Sequence, residues 1–432
     1  MTHARPVSTR SRLFAPALLA LCPLLAGAPA GAQTATRGER DAPAGMTAMA
    51  IDDALGTSLV RVLSIDAGVV EGEDGAGARV RYEPGELVAL VRVAPATDVT
   101  LGVGVADAVR DGAVTMERVR VRARGLTAGV LTTTDGARYP GALSDEEYES
   151  GDGFAWTDAT GTRLFALEDV ASVVMDSAPA SVRLALPAGV ASDTLLLANG
   201  DVLQGFLAGI NTSVELERDD GGTTELPPDR VRAIVLANPE EPPAPMRAWF
   251  DDGAVIGSDS IVTQGGGWLA DDPASPPDAW RSLAGVRAIA LDADRLVPLG
   301  DLGIARSAGG PVAIAAHDDD RLLELVPALG ARDVVLPGDA DVAFELPPNA
   351  ERFACTLRLV RPDSSWADCE VVVLFDGGEV SRTPLAGGRG PVAVNVAVPD
   401  GARTLGIRID PARFGAVHDA VRLARPLVLL AE

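Results

Sequence analysis

The sequence predicts an all-β protein in which small repeated units are followed by a β-sandwich. Short runs of alternating apolar and polar residues recur along the chain and are bounded by Pro, Gly, Asn or Asp. Period-two alternation places every second side chain on one face, as half-buried strands require. A segment with the same turn residues also recurs at a spacing of about 45 to 65 residues, which is typical of one structural unit used repeatedly.

The N-terminus has the three parts of a secretory signal peptide. A segment with three arginines, an apolar run over residues 13–25 and an Ala-Gly-Ala cleavage site at residues 30–32 follow one another. The apolar run is too short to span a bilayer. Lipid attachment at Cys22 is disfavoured, because a leucine precedes it where a small residue is needed. We expect residues 1–32 to be removed, residues 33–44 to be a disordered linker, and the protein to be secreted, periplasmic or held in the cell envelope.

The charge of the chain excludes some partners. It carries 37 Lys and Arg against 61 Asp and Glu, a formal net charge of −24. Such a chain repels phosphate backbones and gains nothing from counterion release, so we expect no nucleic-acid partner. Beyond the N-terminal segment no stretch approaches the roughly twenty apolar residues of a membrane-spanning helix, so we expect no membrane insertion.

Three copies of the repeated unit share a turn and a later glycine. The turns are Asp135-Gly136, Asn199-Gly200 and Asp252-Gly253, and the later glycines are Gly141, Gly205 and Gly257. A weaker copy without such a turn precedes them. We assign a weak first repeat with connecting strands to 45–128, and further repeats to 129–191, 192–240 and 241–294.

The turn chemistry predicts the fold of each repeat. Asn-Gly or Asp-Gly between apolar residues favours a two-residue hairpin turn in which both residues have positive φ. Each copy has room for four or five short strands, then a bend and a final apolar strand. This pattern predicts small, strongly bent barrels of the SH3 or Sm-like type. One copy is too small for a large core, so we expect the copies to pack together, and they also offer surfaces for protein partners.

Alternation is most regular in the last part of the chain, from Ala331 to Leu430. In FACTLRLV one face carries Phe353, Cys355 and Leu357, and in PVAVNVAV every second residue is valine. Pro, Gly or Asp bounds each run, which indicates the half-buried strands of a sandwich. The predicted strands are 353–360, 369–375, 379–383, 391–398, 403–410 and 420–428.

Two cysteines, Cys355 and Cys369, remain after the N-terminal segment is removed. Export favours a disulfide between them. A direct hairpin of the first two predicted strands would instead separate them by about 16 Å, beyond the reach of a disulfide. We therefore predict two buried free thiols.

The C-terminal region resembles a known family. An Arg-Phe strand begins at Arg352, a valine-rich strand leads through Phe375 into Asp-Gly, a Gly-Ala strand begins at Gly401, and His418 opens a late His-Asp-Ala segment. These features resemble the NPCBM family of carbohydrate-binding modules, jelly-roll domains found beside glycosidases and associated with glycosyl hydrolase family 98. The resemblance implies a galactose-binding-like jelly roll over residues 295–432 and a polysaccharide or glycan partner.

Three long loops are expected at one end of this sandwich. If consecutive strands alternate in direction, RPDSSWAD, PLAGGRG and PARFGAVHD converge, and long loops on a rigid scaffold often carry function. They contain the candidate carbohydrate-binding residues Trp366, Asp368, Arg389, Arg413, Phe414, His418 and Asp419. An aromatic ring stacks on a sugar face, while Arg and Asp bond its hydroxyls. The alternative interpretation is that Phe414 caps the core while His418 and Asp419 tether a loop.

The sequence contains no motif for metal-dependent or nucleophilic catalysis. HExxH, the Walker loop, GxSxG and CxxC are all absent. We expect no enzyme activity, no metal and no cofactor. Two functions remain open. The first is a secreted, non-catalytic protein that binds cell-surface or extracellular polysaccharide. The second is a structural or protein-interaction scaffold of the bacterial envelope whose jelly roll does not bind sugar.

Overall fold

The structure is a computed structural model that describes residues 46–93, 129–144, 153–175, 190–218, 220–264, 267–270, 281–282, 285–315 and 327–431. The predicted signal peptide, the linker and the connecting strands after residue 93 lie outside these ranges. Within them the regular structure is antiparallel β with short 3-10 turns, which confirms the all-β prediction. None of the described residues belong to a helix long and apolar enough to cross a membrane.

Four units of similar plan form the N-terminal part. Unit A contains β1 (Met46–Asp52), β2 (Thr57–Asp66), β3 (Val69–Asp74), β4 (Arg79–Tyr82) and β5 (Leu87–Arg92). Unit B contains β6 (Gly129–Thr133), β7 (Arg138–Leu143), β8 (Gly153–Asp158), β9 (Gly161–Ala166) and β10 (Val170–Val174). Unit C contains β11 (Asp193–Leu197), β12 (Val202–Ile210), β13 (Val214–Glu217), β14 (Thr223–Leu226) and β15 (Val231–Val235). Unit D contains β16 (Met246–Phe250), β17 (Val255–Ser258), β18 (Ile261–Gln264), β19 (Gly267–Ala270), β20 (Arg281–Ser282) and β21 (Val286–Ala290).

The units are bent meanders and not closed barrels. In each unit the last strand returns to pair with the first. Among the described residues, however, no ladder joins the last strand to the strand before it. The physical reason is that both edges of every last strand are occupied, one by its own first strand and the other by the last strand of another unit. The prediction of SH3 or Sm-like barrels is therefore wrong in one respect, since the described strands of each unit do not close into a barrel.

The last strands join the units in a nested order. β5 of unit A pairs with β21 of unit D, and β10 of unit B pairs with β15 of unit C. Single bridges from Val255 to Arg138 and from Val262 to Asp66 complete one 21-stranded sheet. One hydrophobic core includes buried residues of all four units, as expected for units too small to fold alone.

The hairpin turn between β11 and β12 of unit C has three residues and not two. In unit C the Leu197 N–H donates to the Asp201 carbonyl at 2.9 Å, and the Gly200 N–H donates to the Leu197 carbonyl at 3.0 Å. Gly200 has φ 90°, whereas Asn199 does not have positive φ. This is a type I turn followed by a left-handed residue. The predicted two-residue turn is wrong, because only the third position needs glycine, while the Asn199 side chain accepts a bond from the Asp201 N–H at 3.1 Å.

The C-terminal domain is a sandwich of two antiparallel sheets. Its strands are β22 (Leu296–Pro298), β23 (Ile304–Ala308), β24 (Ala313–Ala315), β25 (Asp333–Leu336), β26 (Asp341–Glu345), β27 (Ala350–Leu359), β28 (Asp368–Phe375), β29 (Gly378–Ala386), β30 (Val392–Ala397), β31 (Thr404–Pro411) and β32 (Val421–Leu430). One sheet has the order β24-β25-β32-β27-β30, with β22 also on β32, and the other has the order β23-β26-β31-β28-β29. Phe344, Phe353 and Ile407 are among the buried residues between them.

The first two predicted sandwich strands lie in opposite sheets. β27 pairs with β30 and β32, and β28 pairs with β29 and β31, so the predicted direct hairpin is wrong. The intervening loop crosses between sheets instead of turning within one. Cys355 and Cys369 are nevertheless free and buried, as predicted. Burial raises the pKa of Cys355 well above its usual range and that of Cys369 to about 12, so both thiols stay protonated at neutral pH.

A separate hydrophobic cluster joins the sandwich to units A and D. Val88 on β5 and Trp249 on β16 pack in it with Leu427 and Leu429 of β32. Leu55, in the first turn of unit A, also belongs to this cluster and is 4% exposed. These contacts dock the jelly roll on the paired last strands of units A and D.

Candidate functional site

Three loops meet at one end of the sandwich. They span residues 360–367, 387–391 and 412–420, and we call them loops 1, 2 and 3. The Gly388 N–H of loop 2 donates to the Pro362 carbonyl of loop 1 at 2.7 Å, and loops 1 and 3 are joined between the Val360 N–H and the Ala420 carbonyl at 2.9 Å. The loops converge because consecutive strands alternate in direction even though they belong to two sheets.

A glycine allows the close approach of loops 1 and 2. A Cβ atom at Gly387 would lie 1.8 Å from the Ser364 carbonyl oxygen. No other residue type fits this position without moving the backbone. The sequence GGRG therefore sets the distance between the loops.

An exposed aromatic pair lies where loops 1 and 3 meet. The rings of Trp366 and Phe414 are 5.3 Å apart and tilted by 62°, an edge-to-face contact. Trp366 is 58% exposed, whereas Phe414 is half-buried. The Arg413 guanidinium lies 5.2 Å from the centre of the Phe414 ring. The sequence-predicted residues Trp366, Arg413 and Phe414 are thus in contact, with the indole on the outside.

His418 ties loop 3 to loop 1. Its Nδ1 is 2.8 Å from the Ser364 hydroxyl and its Nε2 is 3.0 Å from a guanidinium nitrogen of Arg361. A guanidinium only donates, so Nε2 accepts that bond and Nδ1 carries the proton. These bonds hold His418 at φ 64°, in the left-handed region that few residues other than glycine adopt.

Arg361 and Ser364 belong to this arrangement, although sequence reasoning missed them. Both lie in RPDSSWAD, the loop that already supplied Trp366. The sequence did contain a signal for these two residues. An Arg and a Ser close to a Trp on a long loop can form hydrogen bonds with a histidine on the facing loop. Only the register between loops identifies which histidine nitrogen each one meets.

Asp419 lies behind the surface. It is fully buried, and its Oδ1 accepts a bond from the Asp368 N–H at 2.9 Å. Its Oδ2 has no hydrogen-bond partner, and burial raises the pKa of this carboxyl. Asp419 therefore fixes loop 3 to β28, as in the alternative interpretation, and its side chain is buried away from solvent. Across the described ranges, no three His, Cys, Asp or Glu side chains come together as the ligands of a metal ion.

The remaining predicted residues lie at the rim of the site. Asp368 is half-buried, and its backbone anchors both Asp419 and the Ala412 N–H of loop 3. Arg389 follows Gly388, the residue that joins loop 2 to loop 1, and is exposed. The site thus places Arg361, Trp366, Arg389, Arg413, Phe414 and His418 at one end of the jelly roll.

No family model matches the chain, and no curated protein matches it. Several solved structures are similar to part of it. CBM51 from Clostridium perfringens GH95, in complex with methyl-galactose, is 13% identical and covers 31% of this chain and 99% of its own, with a TM-score of 0.26. The tandem CBM51 modules of a Streptococcus pneumoniae family 98 glycoside hydrolase are 13% identical, covering 68% of this chain and 88% of theirs, with a TM-score of 0.27.

A third similar structure comprises the CBM51-2 and INT domains of Clostridium perfringens ZmpB. It is 16% identical and covers 40% of this chain, with a TM-score of 0.27. This chain spans only 38% of that one. Each of these three structures contains a carbohydrate-binding module. Similarity at these TM-scores does not define the fold, which is given by the strand order and pairing described above.

Proposed function

We propose that the protein is a secreted, non-catalytic protein that binds cell-surface or extracellular polysaccharide through the loop end of its jelly roll. The supporting observation is the exposed indole of Trp366, held against Phe414 where loops 1 and 3 meet. A large aromatic face left in water gains free energy when a sugar ring covers it. The NPCBM resemblance of the sequence agrees with this function.

Each residue of the site has a distinct part in the proposal. Trp366 stacks on a sugar ring, and Phe414 fixes the tilt of the indole. Arg361, Arg389 and Arg413 bond sugar oxygens around it. His418 is a positioning residue that holds Arg361, and the buried Asp419 keeps loop 3 in register with β28.

A glycan array with the exported full chain tests the proposal. We expect Trp366→Ala to abolish glycan retention, because it removes the stacking face while leaving the buried core intact. Phe206→Ala is a matched control, since Phe206 is an aromatic residue that is 65% exposed on β12 of unit C. Circular dichroism melts should confirm that both variants fold. Glycan binding that survives Trp366→Ala would place the site elsewhere.

A second candidate function is a protein-interaction scaffold in the envelope. It is favoured by Val202 and Phe206, which are 55% and 65% exposed on the same strand of unit C. Exposed apolar residues grouped on one element are typical of protein contacts. A chain that binds no glycan, but loses a cross-linked envelope protein on Phe206→Ala, would favour this function over the first.

A further inference from the structure

We infer that the glycan bound at the loop end is anionic, and that its carboxylate or sulfate groups bind Arg361, Arg389 and Arg413. This inference rests on the proposed function and names its ligand class. The first observation that supports it concerns the ion-pair partners of these arginines. In a chain with 61 acidic against 37 basic side chains, these three arginines form no ion pair with any carboxylate of the described residues.

Arginines on the outer face of the five-stranded sheet are paired with acids. On the outer face of the five-stranded sheet, Arg382 contacts Glu370 and Glu379 at 2.7 Å each and Asp410 at 3.0 Å. Arg306 likewise pairs with Asp341 at 2.9 Å. The loop end therefore differs from the sheet face, because its guanidinium groups remain available to an outside anion.

The backbone contacts of the loops bring these arginines to the same end of the sandwich as the aromatic pair. Arg361 and Arg389 adjoin Pro362 and Gly388, which are hydrogen-bonded to each other at 2.7 Å. Arg413 covers the ring of Phe414, which in turn contacts Trp366. An acidic sugar stacked on the indole would have guanidinium groups from three loops around it.

Three acceptors of the site are already in use. His418 Nε2 accepts from Arg361, and Asp419 Oδ1 accepts from the Asp368 N–H. The Ser364 hydroxyl oxygen accepts from the Trp366 N–H at 3.3 Å and from His418. Neutral sugar hydroxyls both donate and accept, whereas carboxylate and sulfate oxygens only accept. A site whose free groups are mainly guanidinium donors suits the second kind of group, which arginine binds bidentately.

Acids near the loop end do not cancel this preference. Asp363 of loop 1 and Asp339 of a neighbouring loop are exposed, but neither forms an ion pair with the three arginines. Asp368 is half-buried, and Asp419 is buried. Charges on the rest of the chain act weakly here, because salt screens them beyond about 8 Å at physiological ionic strength.

Affinity electrophoresis of the full chain with two matched pairs of polysaccharides tests the inference. Polygalacturonate is compared with its methyl ester, and dextran sulfate with dextran, so that each pair differs only in charge. We expect the charged member of at least one pair to retard the protein and its neutral partner to leave it unretarded. Which pair responds distinguishes a carboxylate ligand from a sulfate ligand.

Two triple variants locate the effect. Arg361→Gln with Arg389→Gln and Arg413→Gln should weaken retention by about tenfold for each arginine removed, the loss of one charged hydrogen-bond contact. Arg306→Gln with Arg382→Gln and Arg403→Gln changes the net charge equally and should retain binding. Lysine at the three loop positions should restore part of the retention if Gln only removes charge. Thermal melts check that each variant is folded.

The outcomes separate the two proposals. Equal retention by charged and neutral members, or array binding restricted to neutral glycans, overturns the anionic ligand and leaves polysaccharide binding standing. Equal loss in both triple variants also overturns it, because bulk charge is then responsible. Absence of binding to any glycan, on the array or in the gel, overturns both.

Discussion

The first turns of unit A and unit C share one backbone geometry but differ in surroundings. In unit A the Asp52 and Leu55 N–H groups make the same two bonds that Leu197 and Gly200 make in unit C, all between 2.9 and 3.0 Å. The left-handed residue is Leu55 in unit A, with φ 52°, and Gly200 in unit C, with φ 90°. Leu55 is buried against the jelly roll, whereas a side chain added at Gly200 would meet nothing within 4 Å.

Magnitudes explain why a leucine is tolerated in unit A. A residue other than glycine in the left-handed region costs roughly 1–2 kcal/mol. Burying a leucine side chain contributes about 1.5–3 kcal/mol. Burial of Leu55 in the domain junction therefore offsets its strain. The exposed turn of unit C offers no such compensation, so glycine is the residue that fits there.

The second glycine of the repeat differs in the same way. A Cβ atom at Gly205 in unit C would lie 2.2 Å from the Glu217 carbonyl oxygen on the facing strand. In unit A the position five residues after the turn is Val60, and the close approach falls instead on Gly72 of β3, whose Cβ would lie 2.7 Å from the Arg61 carbonyl. Unit A thus resembles the other copies weakly in sequence because it meets the same backbone needs with other residues.

The largest expected effect comes from removing the side chain that unit A places in the junction. We expect Leu55→Ala to lower the free energy of unfolding by about 2–5 kcal/mol, because it leaves a cavity and keeps the strained φ. Leu55→Gly should be less destabilising than expected from side-chain size, since glycine relieves the strain. Urea unfolding of both variants measures this. A Leu55→Ala variant as stable as wild type would mean that the junction contributes little.

A smaller effect is expected at the close approach in unit C. Gly205→Ala should cost about 1–3 kcal/mol, because the facing backbone must move. Gly209→Ala on the same strand is the control, since its nearest atom would be the Asn211 side chain at 4.0 Å. Similar melting temperatures for the two variants would argue against the tight packing of β12 on β13.

The exposed turn of unit C should respond to backbone strain alone. We expect Gly200→Val to cost on the order of 1 kcal/mol, because a β-branched residue is forced to positive φ without a packing contact. Gly200→Asn should cost less, as asparagine tolerates this region. Thermal melts that rank the asparagine variant below the valine variant would contradict the assigned turn.

The smallest effect is expected at a polar contact between the turn of unit A and the sandwich. The Asn395 side chain donates to the Ala54 carbonyl at 2.8 Å in an exposed position. Asn395→Ala should lower the free energy of unfolding by about 0.5–1.5 kcal/mol. Combined with Leu55→Ala, the two losses should be non-additive because they share one junction. Strict additivity in a double-mutant cycle would mean that the two contacts act independently.

Sequence patterns alone determined the fold class, the positions of the repeat turns and the loop end. Alternation identified the last sandwich strands to within a few residues, because a half-buried strand must alternate whatever its partner is. Asp-Gly and Asn-Gly located the repeat turns, since few residues tolerate positive φ. The three long loops, with Trp366 and Phe414, also followed from alternating strand direction.

Tertiary structure alone decided which strands pair and which residues face solvent. β27 and β28 lie in different sheets, and the last strand of each unit pairs with a strand of another unit. These pairings could not be predicted, because the sequence of a strand does not specify which other strand pairs with it. The exposure of Trp366 and the burial of Asp419 depend on contacts between loops far apart in sequence. The positive φ of Leu55 also depends on contacts distant in sequence, since this conformation is tolerable only once the jelly roll covers the side chain.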